Sequence, residues 1–122
     1  MKTLAALFIV LIGYSYSQRN YTMTVDKINK DLYVYYTDFE NVTCSEAKQI
    51  CANLGSGWRI PTKQESISMC IRKKRLKIKD SWYWCKSNDT SNPAWSCDMN
   101  IGSIFANYGS SNTCHFRPVK DM

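Results

Sequence analysis

Cys44, Cys51, Cys70, Cys85, Cys97 and Cys114, a single histidine at His115, and a run of cations from Arg72 to Lys79 are the residues of this chain best equipped for chemistry. Thiols can cross-link, bind soft metals or attack as nucleophiles. No CxxC pair or His-rich tract accompanies them, so a metal site is not indicated. A Cys–His nucleophile needs a thiol beside His115. Cys114 is its sequence neighbour, and adjacent residues of a strand point to opposite faces. No catalytic residue, metal or cofactor is therefore expected, and the chain is not expected to be an enzyme. An even number of cysteines in a short exported chain instead reads as a disulfide framework.

The second chemical feature is charge. Arg72, Lys73, Lys74, Arg75, Lys77 and Lys79 place six cations in eight positions, within a formal net charge of +6 for the whole chain. A run of this kind is most often a solvated face, and Lys73-Lys74-Arg75 also suits a processing protease. As a binding element it can neutralise a sulfated glycan, anionic head groups or nucleic acid, with affinity that falls as salt rises. Sulfated or anionic glycans and cell-surface receptors are the expected partners, and specific nucleic-acid recognition is not expected.

Compartment follows from the first residues. Lys2 precedes an apolar run from Leu4 to Ile12, and Ser15-Tyr16-Ser17 supplies small residues before Gln18. This reads as a secretory signal peptide over residues 1–17, leaving residues 18–122 as one extracellular domain. The apolar run is roughly half of the ~20 residues that a membrane span needs, and no second such stretch follows. Asn20-Tyr21-Thr22, Asn41-Val42-Thr43 and Asn88-Asp89-Thr90 are N-glycosylation sequons.

The elements that must carry these residues are legible in part. Tyr21 to Val25 and Leu32 to Tyr36 are β-prone runs that predict a hairpin or two sequential strands. Thr43-Cys44-Ser45-Glu46 is a capping box, and Ala47, Ile50, Cys51 and Leu54 behind it form a helical stripe that Gly55 ends. Trp58-Arg59-Ile60 suits a very short strand before Pro61. Thr62-Lys63-Gln64-Glu65 is a second capping box, predicting a helix that buries Ile67, Cys70 and Ile71 and runs into the basic segment. After Asp80, short aromatic runs separated by turn residues predict an antiparallel meander: Ser81 to Cys85, a polar loop from Lys86 to Pro93, Ala94 to Asn100, Ser103 to Tyr108 and Cys114 to Val119.

The pieces "SEAKQICANLGSGWRIPTKQE", "SWYWC", "AWSCDMNIGSI" and "CHFRPVK" resemble, in order, a small secreted domain of bacterial surface proteins that includes the C-terminal domain of the Legionella collagen-like adhesin. Gly-Trp-Arg-Ile-Pro-Thr is the most specific part of the likeness. The resemblance implies a C-type-lectin-like α+β domain, with two helices, short antiparallel strands and disulfide bonds. It also implies a bridge from the first helix to the last strand. Here Pro118 occupies that family's final cysteine position, while Cys114 and Cys44 are displaced along both elements. The implied pairing is Cys44–Cys114, Cys85–Cys97 and Cys51–Cys70.

Fold does not by itself carry sugar binding. Calcium-dependent lectins use paired carboxylates and amides as hard ligands. Asn92-Pro93 lacks a flanking acid, and Trp95-Ser96-Cys97-Asp98 follows it too closely to form the second half of such a site. Trp95 is expected in the core, as is one tryptophan-bearing face of Trp82-Tyr83-Trp84. The sequence thus predicts a secreted, non-catalytic module that contacts polyanionic glycans or cell surfaces through its basic segment. The alternative is a small secreted effector, of venom or defence type, acting on a protein receptor or membrane.

Overall fold

Alternating side chains build the first hairpin. Met23 and Val25 of β1 (Tyr21–Val25) and Leu32 and Val34 of β2 (Lys30–Val34) are buried, while Thr22, Thr24, Asp31 and Tyr33 between them are exposed. The strands pair antiparallel with Met23 opposite Leu32. The computed structural model describes residues 19–86, 94–106 and 111–122. The leader reading of residues 1–17, the sequon at Asn88, Asn92-Pro93 and Tyr108 lie outside the described residues.

Next come β3 (Phe39–Val42), α1 (Cys44–Leu54), β4 (Trp58–Arg59), α2 (Lys63–Ile71) and the single turn α3 (Lys73–Leu76). They are followed by β5 (Trp82–Lys86), β6 (Ala94–Asp98), β7 (Ser103–Ala106), β8 (Cys114–Phe116) and β9 (Val119–Asp121). Both capping boxes form: the Thr43 and Thr62 hydroxyls accept from the N–H groups of Glu46 and Glu65, whose carboxylates accept from the cap N–H groups in return. Gly55, at φ 113°, ends α1 in a conformation that a side chain disfavours.

Two sheets result, in the orders β1-β2-β9-β4 and β3-β8-β5-β6-β7. Only Arg117-Pro118 separates β8 from β9, so the chain leaves the second sheet and enters the first between β2 and β4. β5 pairs antiparallel with β6 and parallel with β8. As an interior strand it serves two cores. Tyr83 and Cys85 pack with Leu32, Met69 and Cys97, whereas Trp84 packs with Ala47, Cys51 and Phe116.

This architecture overturns the expected two-helix, disulfide-bonded C-type-lectin-like α+β domain. Strand makes up 40% of the described residues against 26% helix, the strands divide into sheets of four and five, and none of the six cysteines is disulfide-bonded. The sulfurs are separated by register and by core. Cys85 faces Trp95 and Cys97 faces Tyr83, a diagonal relation that places Cα atoms about 7–8 Å apart, beyond the usual reach of a bridge. Cys51 belongs to the Trp84 core, while Cys70 packs against the Tyr83 core and donates to the Met99 carbonyl at 3.2 Å. Cys44 and Cys114 share a core without a disulfide between them.

The inward face of α2 also differs from the expectation. Glu65, Ser66, Ser68 and Met69 are buried, and Ile71 is 68% exposed. Hydrogen bonding explains the rotation. Arg59 grips Glu65 with two bonds of 2.7 Å, and the Ser68 hydroxyl accepts from the Asp26 N–H at 2.9 Å, so both polar groups are satisfied where they are buried. Burial opposes the charge on Glu65, but the Arg59 fork and the Thr62 N–H outweigh it and hold the carboxyl below its usual range.

Burial pushes the Cys51 thiol up to about 11, and burial followed by neighbouring thiols pushes Cys85 and Cys97 up to about 12. Such groups carry almost no thiolate near neutral pH and oxidise slowly. Denatured without reductant, the protein is expected to present all six thiols to Ellman's reagent; a shortfall in even steps would reveal cross-links.

Candidate functional site

The basic segment begins where α2 fails to continue. Arg72 has φ −104° and ψ 20°, outside helical values, and the next turn, α3, closes on Lys77 in the left-handed conformation at φ 58° and ψ 39°. Leu76 and Ile78 are buried on either side of Lys77. Their burial leaves Lys74, Arg75, Lys77 and Lys79 exposed.

Arg117 holds this turn from the interior. Its guanidinium, 2% exposed, donates to the carbonyls of Leu76 at 2.8 Å, Lys77 at 3.2 Å and Tyr35 at 3.2 Å, and to the Asp38 carboxylate at 2.8 Å. The Tyr83 hydroxyl donates to Asp38 at 2.7 Å and accepts from the Lys79 N–H at 3.0 Å. Burial, then the bond to Asp38, raises the Tyr83 phenol well above its ordinary value. Both ends of the Leu76–Lys79 stretch are thus tied to one buried cluster.

Half of the expected contact residues are already neutralised. Arg72 forks onto Asp26 at 2.8 and 3.0 Å, Lys73 meets Asp80 at 2.6 Å, and Lys79 pairs with Glu40. Lys74 and Lys77 have no ion pair among the described residues, and Arg75 donates to the backbone carbonyl of Thr22 at 3.0 Å. Arg72 and Arg75 also line an open groove of about 490 Å³ with Thr22, Thr24, Asp31 and Met122. Asp31 makes that groove electrostatically mixed, so the unopposed positive charge lies on Lys74, Arg75 and Lys77.

The other candidates are dispersed. Asn41 is exposed with left-handed backbone (φ 55°), whereas Asn20 is half-buried and its Oδ1 accepts from the Tyr36 N–H at 3.1 Å. Cys114 faces the Trp84 core while its neighbour His115 stacks near Tyr83 on the other side. His115 Nδ1 lies 3.1 Å from the Ser81 hydroxyl, but Glu40 is 3.7 Å from Nε2 and bonded to Lys79. That gap exceeds hydrogen-bonding distance. Asp98 accepts from the Asn100 N–H at 3.0 Å in a turn. Among the described residues no three acidic, cysteine or histidine side chains are grouped to hold a metal, and no helix is long and apolar enough to cross a membrane.

Of the aromatic strand, Tyr83 and Trp84 are both buried, because β5 is covered on both faces. Trp82 is 41% exposed and meets Phe105, 47% exposed, edge-on at 5.3 Å. Trp95 is half-buried beneath Lys63, whose Nζ lies 3.5 Å from the ring centroid. The exposed Trp82–Phe105 pair and the anchoring role of Arg117 were not evident from spacing. Phe105 is distant in sequence from Trp82, and a lone arginine before a proline carries no local signal. Compared with protein families and with curated proteins, the chain matches neither a family model nor a curated relative.

The Asp26–Arg72 pair has a definite pH window. The Arg72 guanidinium, helped by Ser68, holds the Asp26 carboxyl down at about 2 from an ordinary 3.8. A carboxyl depressed on folding stabilises fully above its unfolded value and loses that contribution as pH falls toward the folded one. Asp26→Asn is therefore expected to flatten the acid limb of the stability curve between about pH 4 and pH 2, read by urea denaturation at each pH.

Proposed function

We propose that the chain is an exported, non-catalytic binding module that contacts polyanionic glycans or anionic cell surfaces. Lys74, Arg75 and Lys77 make the contact, with Arg72, Lys73 and Lys79 contributing less because each is shared with a carboxylate. One observation carries this reading: three exposed cations that have no carboxylate partner among the described residues sit on a turn whose backbone is fastened by Arg117. A fixed array of this kind forms charge-assisted bonds without first ordering a loop. Export is supported by the leader-like pattern of residues 1–17 and by the exposed sequon asparagine Asn41.

The exposed Trp82–Phe105 pair favours a second reading, a small effector acting on a protein receptor, since aromatic side chains dominate the energetics of protein interfaces.

Retention on a heparin column distinguishes these. Neutralising Lys74 and Arg75 together with Lys77→Gly is expected to lower the salt slope of binding by roughly 0.7–0.9 per charge removed, with retention unaffected by EDTA. Because Lys77 is left-handed, Lys77→Gly is expected to leave stability unchanged or raise it by up to about 1 kcal/mol in thermal unfolding. Unchanged elution of the triple variant would eliminate the glycan reading. Receptor binding lost in Trp82→Ala, Phe105→Ala but kept in the triple variant would establish the second.

A further inference from the structure

A smaller cavity of about 250 Å³ opens between α1, β4 and the end of β5, lined by Lys48, Cys51, Trp58, Arg59, Ile60 and Lys86. Each wall is placed by a feature already described. Lys48 and Cys51 lie three residues apart on one face of α1, and Trp58, Arg59 and Ile60 come from the crossing between the helices. Lys86 is fixed at its backbone, where its N–H donates to the Pro61 carbonyl at 2.7 Å and the residue bridges to Thr62.

The charges in this cavity do not cancel. Arg59 is consumed by Glu65 and by Asp121, each at 2.7 Å. Among the described residues Lys48 and Lys86 have no ion pair, and none of those lining the cavity is a carboxylate. Cys51 is neutral there, because burial raises its thiol to about 11. The remaining walls, the Trp58 indole and Ile60, are apolar. The volume is a little below the roughly 300 Å³ at which drug-sized pockets begin. It therefore admits one or two fused rings, and a glycan chain is too large for it.

We propose that this cavity is a separate ligand site for a small amphipathic anion, an aromatic ring system bearing one carboxylate or sulfonate. The ring packs against Trp58 and Ile60, and the anionic group is held between Lys48 and Lys86. A cationic ligand finds no counter-charge among the described lining residues, and an uncharged one leaves both ammonium groups unused.

The probe is 2-naphthalenesulfonate, titrated calorimetrically into the whole exported chain, with 2-naphthol as its uncharged counterpart. Lys48→Gln and Lys86→Gln are each expected to weaken the sulfonate about tenfold, the loss of one charge-assisted hydrogen bond, and to leave thermal unfolding unchanged because both side chains are exposed. 2-Naphthol is expected to bind at least as weakly as the sulfonate does to the double variant. The variant neutralised at Lys74, Arg75 and Lys77 is expected to bind the sulfonate normally, which separates this site from the glycan-binding segment. No binding of the sulfonate, equal binding of 2-naphthol, or indifference to both lysine substitutions would each overturn the proposal.

Discussion

The buried ion pair of Arg117 and Asp38 is the constraint on which the rest of the molecule depends. Removing two charges from water is costly, and their attraction offsets that cost only when every remaining donor finds a partner. Here the partners are the backbone carbonyls of Leu76, Lys77 and Tyr35. Leu76 and Lys77 sit at the end of a single helical turn, whose last carbonyls are unsatisfied by the turn itself. The guanidinium thus brings a buried cation and the two carbonyls that the turn leaves open into one satisfied cluster. Tyr83 extends it to the next strand, so the second sheet, the hairpin exit at Tyr35 and the basic turn share one polar junction.

The cysteines illustrate how register governs reactivity. In a sheet, two residues share a face at every second position, but only directly opposed residues are near enough to cross-link. Cys85 and Cys97 meet the first condition and miss the second. Packed among Tyr83, Met99 and the hairpin's aliphatic residues, they behave as small apolar side chains. Stability then rests on core packing and ion pairs, and reduction of the protein has no native bond to break.

Local signals were faithful where the physics is local. Both capping boxes, Gly55 and the first hairpin were legible because each depends on residues within a few positions of one another. The α2 face was misread because hydrophobicity alone favours Ile71 inward, whereas Glu65 and Ser68 acquire partners from β4 and from the end of β1. The pairing of β3 with β8 and the parallel contact of β5 with β8 join residues more than thirty positions apart, and nothing in either strand announces its neighbour. The basic run was visible as composition. Its division into paired and unpaired cations was not, since Asp26 and Glu40 lie in distant elements.

β9 has a consequence for how the chain comes to be folded. The strand Val119–Asp121 occupies an interior place, hydrogen-bonded to β2 on one side and β4 on the other. Synthesis from the N-terminal side delivers the hairpin, α1, α2, α3 and most of the second sheet before this strand. Until then β2 and β4 have no shared neighbour and the Arg117 cluster has no arginine. Completion of the first sheet is consequently governed by closure of the long loops that bring β9 to β2 and β4.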